Sequence, residues 1–328
     1  MPIVSVALCT YNGANFLSEQ LASITAQTRP VNELVICDDN STDDTQRIVT
    51  DFAKTAPFPV VFQRNKTNLG STKNFENAVR LCQGDIIIFS DQDDRWRSDR
   101  VDKTLNFFEK NPAMEGLFSN ARVMDDDSQP TNRTIWDKVQ FTETLRKKWR
   151  AGQAHEILYD GYVVTGASMA IRRHVLPFVL PFPTGFEKLI HDGWVALVLA
   201  VRGTIDFLED ELIWYRQHTA QQVGFGKQIP MVSLRQRVTR SRDEKLLPIQ
   251  KRADELALLY NLLRAKPELP VEKLAQLRRL RDHYRMRATL PASRWRRLRP
   301  IWRDVQRGRY LYSGPKHWWR PVLGDLFE

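Results

Sequence analysis

The chain has 328 residues, enough for two domains or for one large domain with an appendage. With 42% hydrophobic and 27% charged residues, 15 Gly and 17 Pro, its composition is globular and excludes disordered, collagen-like and low-complexity classes. The net charge of +10 is unevenly spread: residues 1–225 carry 24 basic and 29 acidic side chains, whereas residues 226–328 carry 25 and 10. The first part is therefore net −5 and the second net +15, which places a junction near Gly226.

In chain order, the apolar run at 3–9 lacks a preceding basic region and is too short for a signal peptide, so it reads as a first β-strand. Further β-rich runs at 33–37, 60–63 and 86–89 alternate with segments of helical period at 16–26, 43–53, 75–82 and 101–108. This alternation predicts an α/β fold, a mostly parallel sheet with helices on both faces. Ser41-Thr42-Asp43-Asp44 reads as a helix start, because a hydroxyl can cap free N–H groups and acids suit the positive end of the dipole. Asp125-Asp126-Asp127 reads as a solvated turn, and residues 131–154, rich in charge and aromatics, as a mobile flap. The longest apolar run, 194–201, is far below the roughly 18 residues of a membrane span. Cys9, Cys37 and Cys82 are too few and too irregular for a disulfide framework, and read as reduced core residues of a cytosolic protein.

Past Gly226, helical segments at 246–264 and 271–290 flank Lys266-Pro267-Glu268-Leu269-Pro270, predicting an antiparallel hairpin. Leu274, Leu277, Leu280 and Tyr284 form a packing stripe, with Lys273, Arg278, Arg279, Arg285 and Arg287 on the opposite surface. Beyond them Trp295, Trp302, Tyr310, Tyr312, Trp318 and Trp319 are interleaved with arginines.

In sheets of this kind ligands bind beyond the carboxyl ends of the strands. Those ends carry Thr10-Tyr11-Asn12-Gly13, Asp38-Asp39-Asn40-Ser41 and Ser90-Asp91-Gln92-Asp93-Asp94. Mutually repelling carboxylates after residues 86–89 need a cation, and hard oxygen ligands suit Mg²⁺ or Mn²⁺. Such an ion would bind a substrate diphosphate and stabilise its departure. The alternative is an acidic loop capping the helix that begins near Asp99.

The motifs at 5–12, 35–43, Asn68-Leu69-Gly70 and Asp91-Gln92-Asp93-Asp94, in this order and spacing, resemble the inverting glycosyltransferases of family 2 over residues 3–225. The resemblance implies a GT-A fold and a nucleoside-diphosphate-sugar donor. It implies a catalytic domain at 1–226, with a donor half to about residue 120 and an acceptor half from 121; the basic, aromatic-rich helical extension at 227–328, read from its pattern, lies beyond it. Carried over by residue, Thr10 and Tyr11 would line the base pocket and Asp39 would bond the pyrimidine edge. Lys73 would approach the diphosphate, Asp91 would contact the ribose region with Gln92 among the donor-binding residues, and Asp93 would hold the divalent metal. Asp38 is read as structural.

His191-Asp192-Gly193-Trp194 stands where the family carries its base. Asp192 would take the acceptor's proton, its alternative being a helix N-cap. His191 reads as a packed neighbour. Trp214-Tyr215-Arg216-Gln217-His218 resembles the rhamnosyltransferase-like branch. It implies dTDP-L-rhamnose as donor and His218 as a second metal ligand, against a surface histidine. Gly193 and Thr219-Ala220-Gln221-Gln222 depart from that branch. Gln221-Gln222-Val223-Gly224 lacks the Arg-Trp ending of processive synthases, so a single addition is expected.

The expected function is transfer of a sugar to a cell-surface glycan or lipid-linked acceptor, at the inner face of the cell membrane. A UDP- or GDP-sugar donor is one alternative. A non-catalytic nucleotide-sugar or nucleic-acid binding module is another. For the basic extension, an anionic membrane surface and packing within the protein stand level, ahead of nucleic acid.

Overall fold

The structure is a computed structural model that describes residues 1–218, 241–266, 269–313 and 317–327. The run at 219–224, the junction at Gly226 and Pro267 lie outside the described residues. Two compact units divide the chain, Met1–Phe225 and Gly226–Glu328.

In the first unit, β1 (Val4–Thr10), β2 (Glu33–Asp38), β3 (Val60–Arg64) and β4 (Ile86–Asp91) are parallel, in the order β3-β2-β1-β4. They alternate with α1 (Leu17–Thr25), α2 (Thr45–Ala53) and α3 (Ser71–Leu81), and α4 (Arg100–Lys110) follows. β1 and most of β2 and β4 are buried, as expected for strands covered on both faces. The sheet continues through β5 (Arg95–Trp96), β6 (Gly116–Met124), β7 (Pro130–Thr134), β8 (Met169–Arg172) and β9 (Ile205–Arg216). β8 runs antiparallel between β4 and β6, while β6 and β9 are parallel. This is a GT-A-like α/β fold.

Residues 131–154 do not form a loose flap. They fold as β7, α5 (Ile135–Lys138), α6 (Glu143–Lys148) and a π-turn at Trp149–Gln153, leading into α7 (Ala154–Asp160). Trp136, Phe141 and Trp149 pack with Phe118 of β6 and Phe207 of β9, with ring centroids 5.0–6.4 Å apart. That burial outweighs the local polarity which suggested mobility. After the short α8 (Leu176–Val179), α9 (His191–Arg202) is buried from His191 through Val201. The longest apolar run is thus a core helix, and no helix among the described residues is long and apolar enough to cross a membrane.

α2 starts later than its sequence suggested. Thr45 is its first residue, and Ser41 turns away to bond Asp38 instead of capping the helix.

The second unit contains α10 (Arg242–Arg264), α11 (Val271–Ala288), α12 (Arg294–Gln306) and α13 (Trp319–Phe327). Leu256, Leu259 and Leu263 of α10 and Leu274, Leu277 and Leu280 of α11 are buried, as is Arg287, which had been expected on the solvated face. Arg287 pairs with Asp325 at 2.7 Å, and the Tyr310 hydroxyl donates to the same carboxylate at 2.8 Å.

Candidate active site

The ends of β1 and β2 are fastened by side chains. Asp38 is fully buried and accepts from the Thr10 hydroxyl at 2.8 Å, the Ser41 backbone N–H at 2.9 Å and the Ser41 hydroxyl. The Thr10 carbonyl accepts from the Asp39 N–H at 2.8 Å. Both polar groups of Thr10 are thereby used inside the protein, and of the Thr10–Tyr11 pair only the Tyr11 ring, 36% exposed, reaches the rim. Asp39 is buried as well. One of its oxygens accepts from Asn65 Nδ2 at 2.9 Å and the Leu69 N–H at 2.8 Å, the other from the Gly70 N–H at 2.8 Å. It therefore pins the loop after β3 against the end of β2.

Gln92 makes a two-way bridge to the Tyr11 backbone, accepting from its N–H at 2.8 Å and donating to its carbonyl at 3.0 Å. The bridge depends on Gly13, whose Cβ, if present, would lie 2.1 Å from Gln92 Oε1. Gln92 thus holds the aromatic residue beside the β4 end, a role its place in an acidic motif did not suggest.

Asp93 Oδ2 lies 2.8 Å from His218 Nε2, and the His218 ring rests 4.9 Å from Phe16. Burial raises Asp91 to about 8, with the charges of Asp93 and Asp192 adding to the rise and Arg100 opposing it. Asp94 is raised for the same first reason, then by Asp93 and Asp91. One oxygen of Asp94 is buried without a hydrogen-bond partner. The β4 end therefore disfavours a full set of ionised carboxylates, by burial first and by their mutual repulsion second.

Asp192 lies within the first turn of α9, not at its N-cap, which is Ile190. Its carboxylate accepts from the Gly166 N–H at 2.7 Å, the Gly193 N–H at 2.6 Å and the Tyr162 hydroxyl. Gly166 is needed for this approach: a Cβ there would stand 3.1 Å from Asp192 Oδ2 and 3.0 Å from His191 Nε2. His191 stacks on Phe75 at 4.0 Å, and burial lowers its pKa. Lys73, at the start of α3, is engaged by Glu76 at 2.8 Å and the Phe182 carbonyl at 3.1 Å.

Two arginines organise this centre, and both escaped the sequence reading. Arg216, fully buried at the end of β9, donates from Nε to the Asp93 carbonyl at 2.7 Å. Nη1 donates to the Asp125 and Asp126 carbonyls at 3.2 and 3.0 Å and to Ser128 Oγ at 2.9 Å, while Nη2 meets Glu19. Its backbone N–H donates to Asp94 at 3.0 Å. The acidic stretch at 125–127 is indeed a turn, and its carbonyls receive this guanidinium. Arg100 lies under the β4 end, donating to the Phe89 and Ala167 carbonyls at 3.1 and 2.6 Å, and burial lowers it to about 9. Arg216 stood inside a quoted motif; Arg100 and Tyr162 carried no sequence signal.

The structure thus gathers Tyr11, Gln92, Asp91, Asp93, Asp192 and His218 about the β4 end. Lys73 and Asp39 are held by other partners. Among the described residues no group of three or more His, Cys, Asp or Glu side chains is assembled for a metal. Even so, a carboxylate–imidazole pair beside raised carboxylates is a donor set that suits a hard divalent cation.

Residues 5–179 match the model of glycosyl transferase family 2. The chain belongs to that family. It is 27% identical over 222 residues to an uncharacterized glycosyltransferase of Nostoc sp., an alignment covering 66% of this chain and 65% of the relative. It is 32% identical over 150 residues to the chondroitin synthase of Escherichia coli, covering 44% of this chain and 21% of the synthase. In both cases the chain spans under two thirds of the relative. The fold is similar to the mannosyltransferase PcManGT from Pyrobaculum calidifontis in complex with GDP-Man and Mn²⁺, with TM-score 0.56, 18% identity and coverage of 99% and 86% of the two chains. It is also similar to residues 1–349 of TarS from S. aureus in complex with UDP-GlcNAc, with TM-score 0.55, 15% identity and coverage of 99% and 89%.

Proposed function

We propose that the first unit is a metal-assisted inverting glycosyltransferase that moves one sugar from a nucleoside diphosphate to a hydroxyl of a glycan or lipid-linked saccharide. The carrying observation is Asp192, a carboxylate held by three donors and close enough to Asp91 to raise its pKa. Family membership supports the reaction class. Two similar folds hold nucleotide sugars, one of them with Mn²⁺.

Tyr11 would offer its ring to the nucleoside base, with Gln92 fixing its backbone and Asp39 shaping the adjoining loop. Asp91 would serve the ribose side, and Lys73 the diphosphate after exchanging Glu76 for phosphate. Asp93 and His218 would hold a Mg²⁺ or Mn²⁺, which supplies charge stabilisation to the departing diphosphate. Asp192 takes the proton of the acceptor hydroxyl as its oxygen forms a bond to the anomeric carbon. The bond from that carbon to the diphosphate breaks, and the diphosphate leaves with the electron pair. The three hydrogen bonds to Asp192 fix its orientation at the start of α9.

Within this reading, the Trp-Tyr-Arg-Gln-His run favours dTDP-L-rhamnose as donor. UDP- and GDP-sugars form the second reading, favoured by the donors held in the similar folds. A thermal-shift panel of dTDP-, UDP- and GDP-sugars with Mn²⁺, Mg²⁺ or chelator separates them, since a ligand that binds the native state raises its melting temperature. The reading predicts a shift with one nucleotide class that chelator abolishes. No shift with any donor would refute it.

A further inference from the structure

Helices α12 and α13 of the second unit pack one side into an apolar cluster, Leu290, Ile301 and Tyr310 with Val305, Val322 and Leu326 against it, and leave large apolar side chains exposed on another. The inward side of α12 buries Arg297 and Asp304 beside Ile301, while its outward side carries Trp295, Leu298 and Trp302, which are 84%, 46% and 64% exposed. Positions 295, 298 and 302 recur at steps of three and four, so they share one face. α13 repeats the pattern, burying Asp325 and exposing Trp319, Leu323 and Phe327 at steps of four. The buried charges have partners: Asp304 meets His283 at 2.9 Å and Arg309 at 3.1 Å, and Asp325 meets Arg287. These pairs, together with the apolar cluster, fix which side of each helix faces inward and leave the aromatics outward.

Exposed apolar surface on this scale has a cost in water that a partner removes. The chemistry of that partner is given by what borders the aromatics. Arg294, Arg296, Arg299 and Arg303 are exposed on the same helix as Trp295 and Trp302, and the chain from residue 226 carries +15. Tryptophan settles at the boundary between lipid headgroups and acyl chains, and arginine is drawn to anionic headgroups.

We propose that the Trp295–Leu298–Trp302 face of α12, extended by Trp319, Leu323 and Phe327 of α13, docks on an anionic lipid bilayer. The aromatic rings enter the headgroup boundary and the flanking arginines pair with lipid phosphates. This inference concerns the second unit and stands whether or not the transferase reading holds.

The test is co-sedimentation of the full chain with phosphatidylcholine vesicles, with and without phosphatidylglycerol, at low and high salt. The wild type should bind only the phosphatidylglycerol vesicles, and less in high salt. The double variant W295A/W302A should lose affinity tenfold or more, because each ring gives up interfacial burial worth roughly a tenfold change. R299E/R303E should lose roughly a hundredfold or more, because each reversal removes one attraction to the surface and adds one repulsion. These side chains are exposed, so an unchanged melting temperature certifies the fold of both variants. Equal binding to neutral vesicles, or equal binding by the variants, would overturn the proposal. So would capture of heparin or single-stranded DNA without vesicle binding, or a dimer that W295A/W302A dissolves.

Discussion

Replacing Arg216 by Ala tests whether the acidic centre is held together from the end of β9. The guanidinium is fully buried, packs 4.5 Å over the Phe16 ring and joins three separate segments: the Asp93 carbonyl, the turn at 125–128 and Glu19 of α1. Glu19 keeps Arg95 at 3.1 Å and Ser128 at 2.8 Å, so its charge is not abandoned, and the turn carbonyls can rehydrate. The Asp93 carbonyl has no such recourse if the loop stays in place. Five hydrogen bonds are lost, and with the turn carbonyls rehydrated and Glu19 keeping its other partners the net cost, including some lost packing, is about 3–4 kcal/mol. For a unit of this size each kcal/mol moves the melting temperature by about 3 °C, so R216A should melt about 10 °C lower. R216K keeps the charge but cannot span the fan of acceptors, and should recover less than half of the loss. Cation-dependent nucleotide binding should weaken in both, because the Asp93 segment is no longer anchored. Thermal melts read the first effect and titration with a nucleoside diphosphate and Mn²⁺ the second. An R216A protein melting within about 2 °C of wild type would refute the reasoning.

Asp91 gives a pH prediction. Its folded pKa of about 8 exceeds its unfolded value, so the native state holds the extra proton between the two. Without divalent cation, stability should fall as pH rises from about 4 to 8, and Asp91→Asn should flatten that slope in chelator-treated melts. A slope unchanged in the variant would remove Asp91 as its source. Gln92→Leu removes both bonds to the Tyr11 backbone while disturbing little packing, and should weaken nucleotide binding roughly tenfold with a melting temperature near wild type. Unaltered nucleotide affinity in a calorimetric titration would show that Tyr11 needs no such support.

The parallel half of the sheet was legible because its strands are short apolar runs that end in polar motifs, and each helix between them keeps its period. The strand-end rule points to Tyr11, Asp91 and Asp93, while Asp192 and His218 are expected only from the resemblance to family 2. What the sequence hid were contacts across long separations. Arg216 gathers partners from positions 19, 93 and 125–128, a convergence created only by β9 running beside β6. Tyr162 and Gly166 reach Asp192 from a loop without periodicity. For Thr10 and Asp39 the resemblance implied ligand contact, and the structure adds that both also close the ends of β1 and β2. In 131–154 the charges are conspicuous, and the aromatics that fix the segment also pack on Phe118 and Phe207, 18 or more residues away.

In the proposed reaction Asp192 removes a proton from the acceptor hydroxyl during sugar transfer from a nucleotide donor. The direct measurement is release of nucleoside diphosphate from the donor selected by the thermal-shift panel, with water or a saccharide as acceptor, by wild type and by Asp192→Asn. The wild type should release the diphosphate in a cation-dependent way, and the variant should lose about a thousandfold or more while its donor affinity stays near wild type. Equal release by both proteins would contradict this role of Asp192.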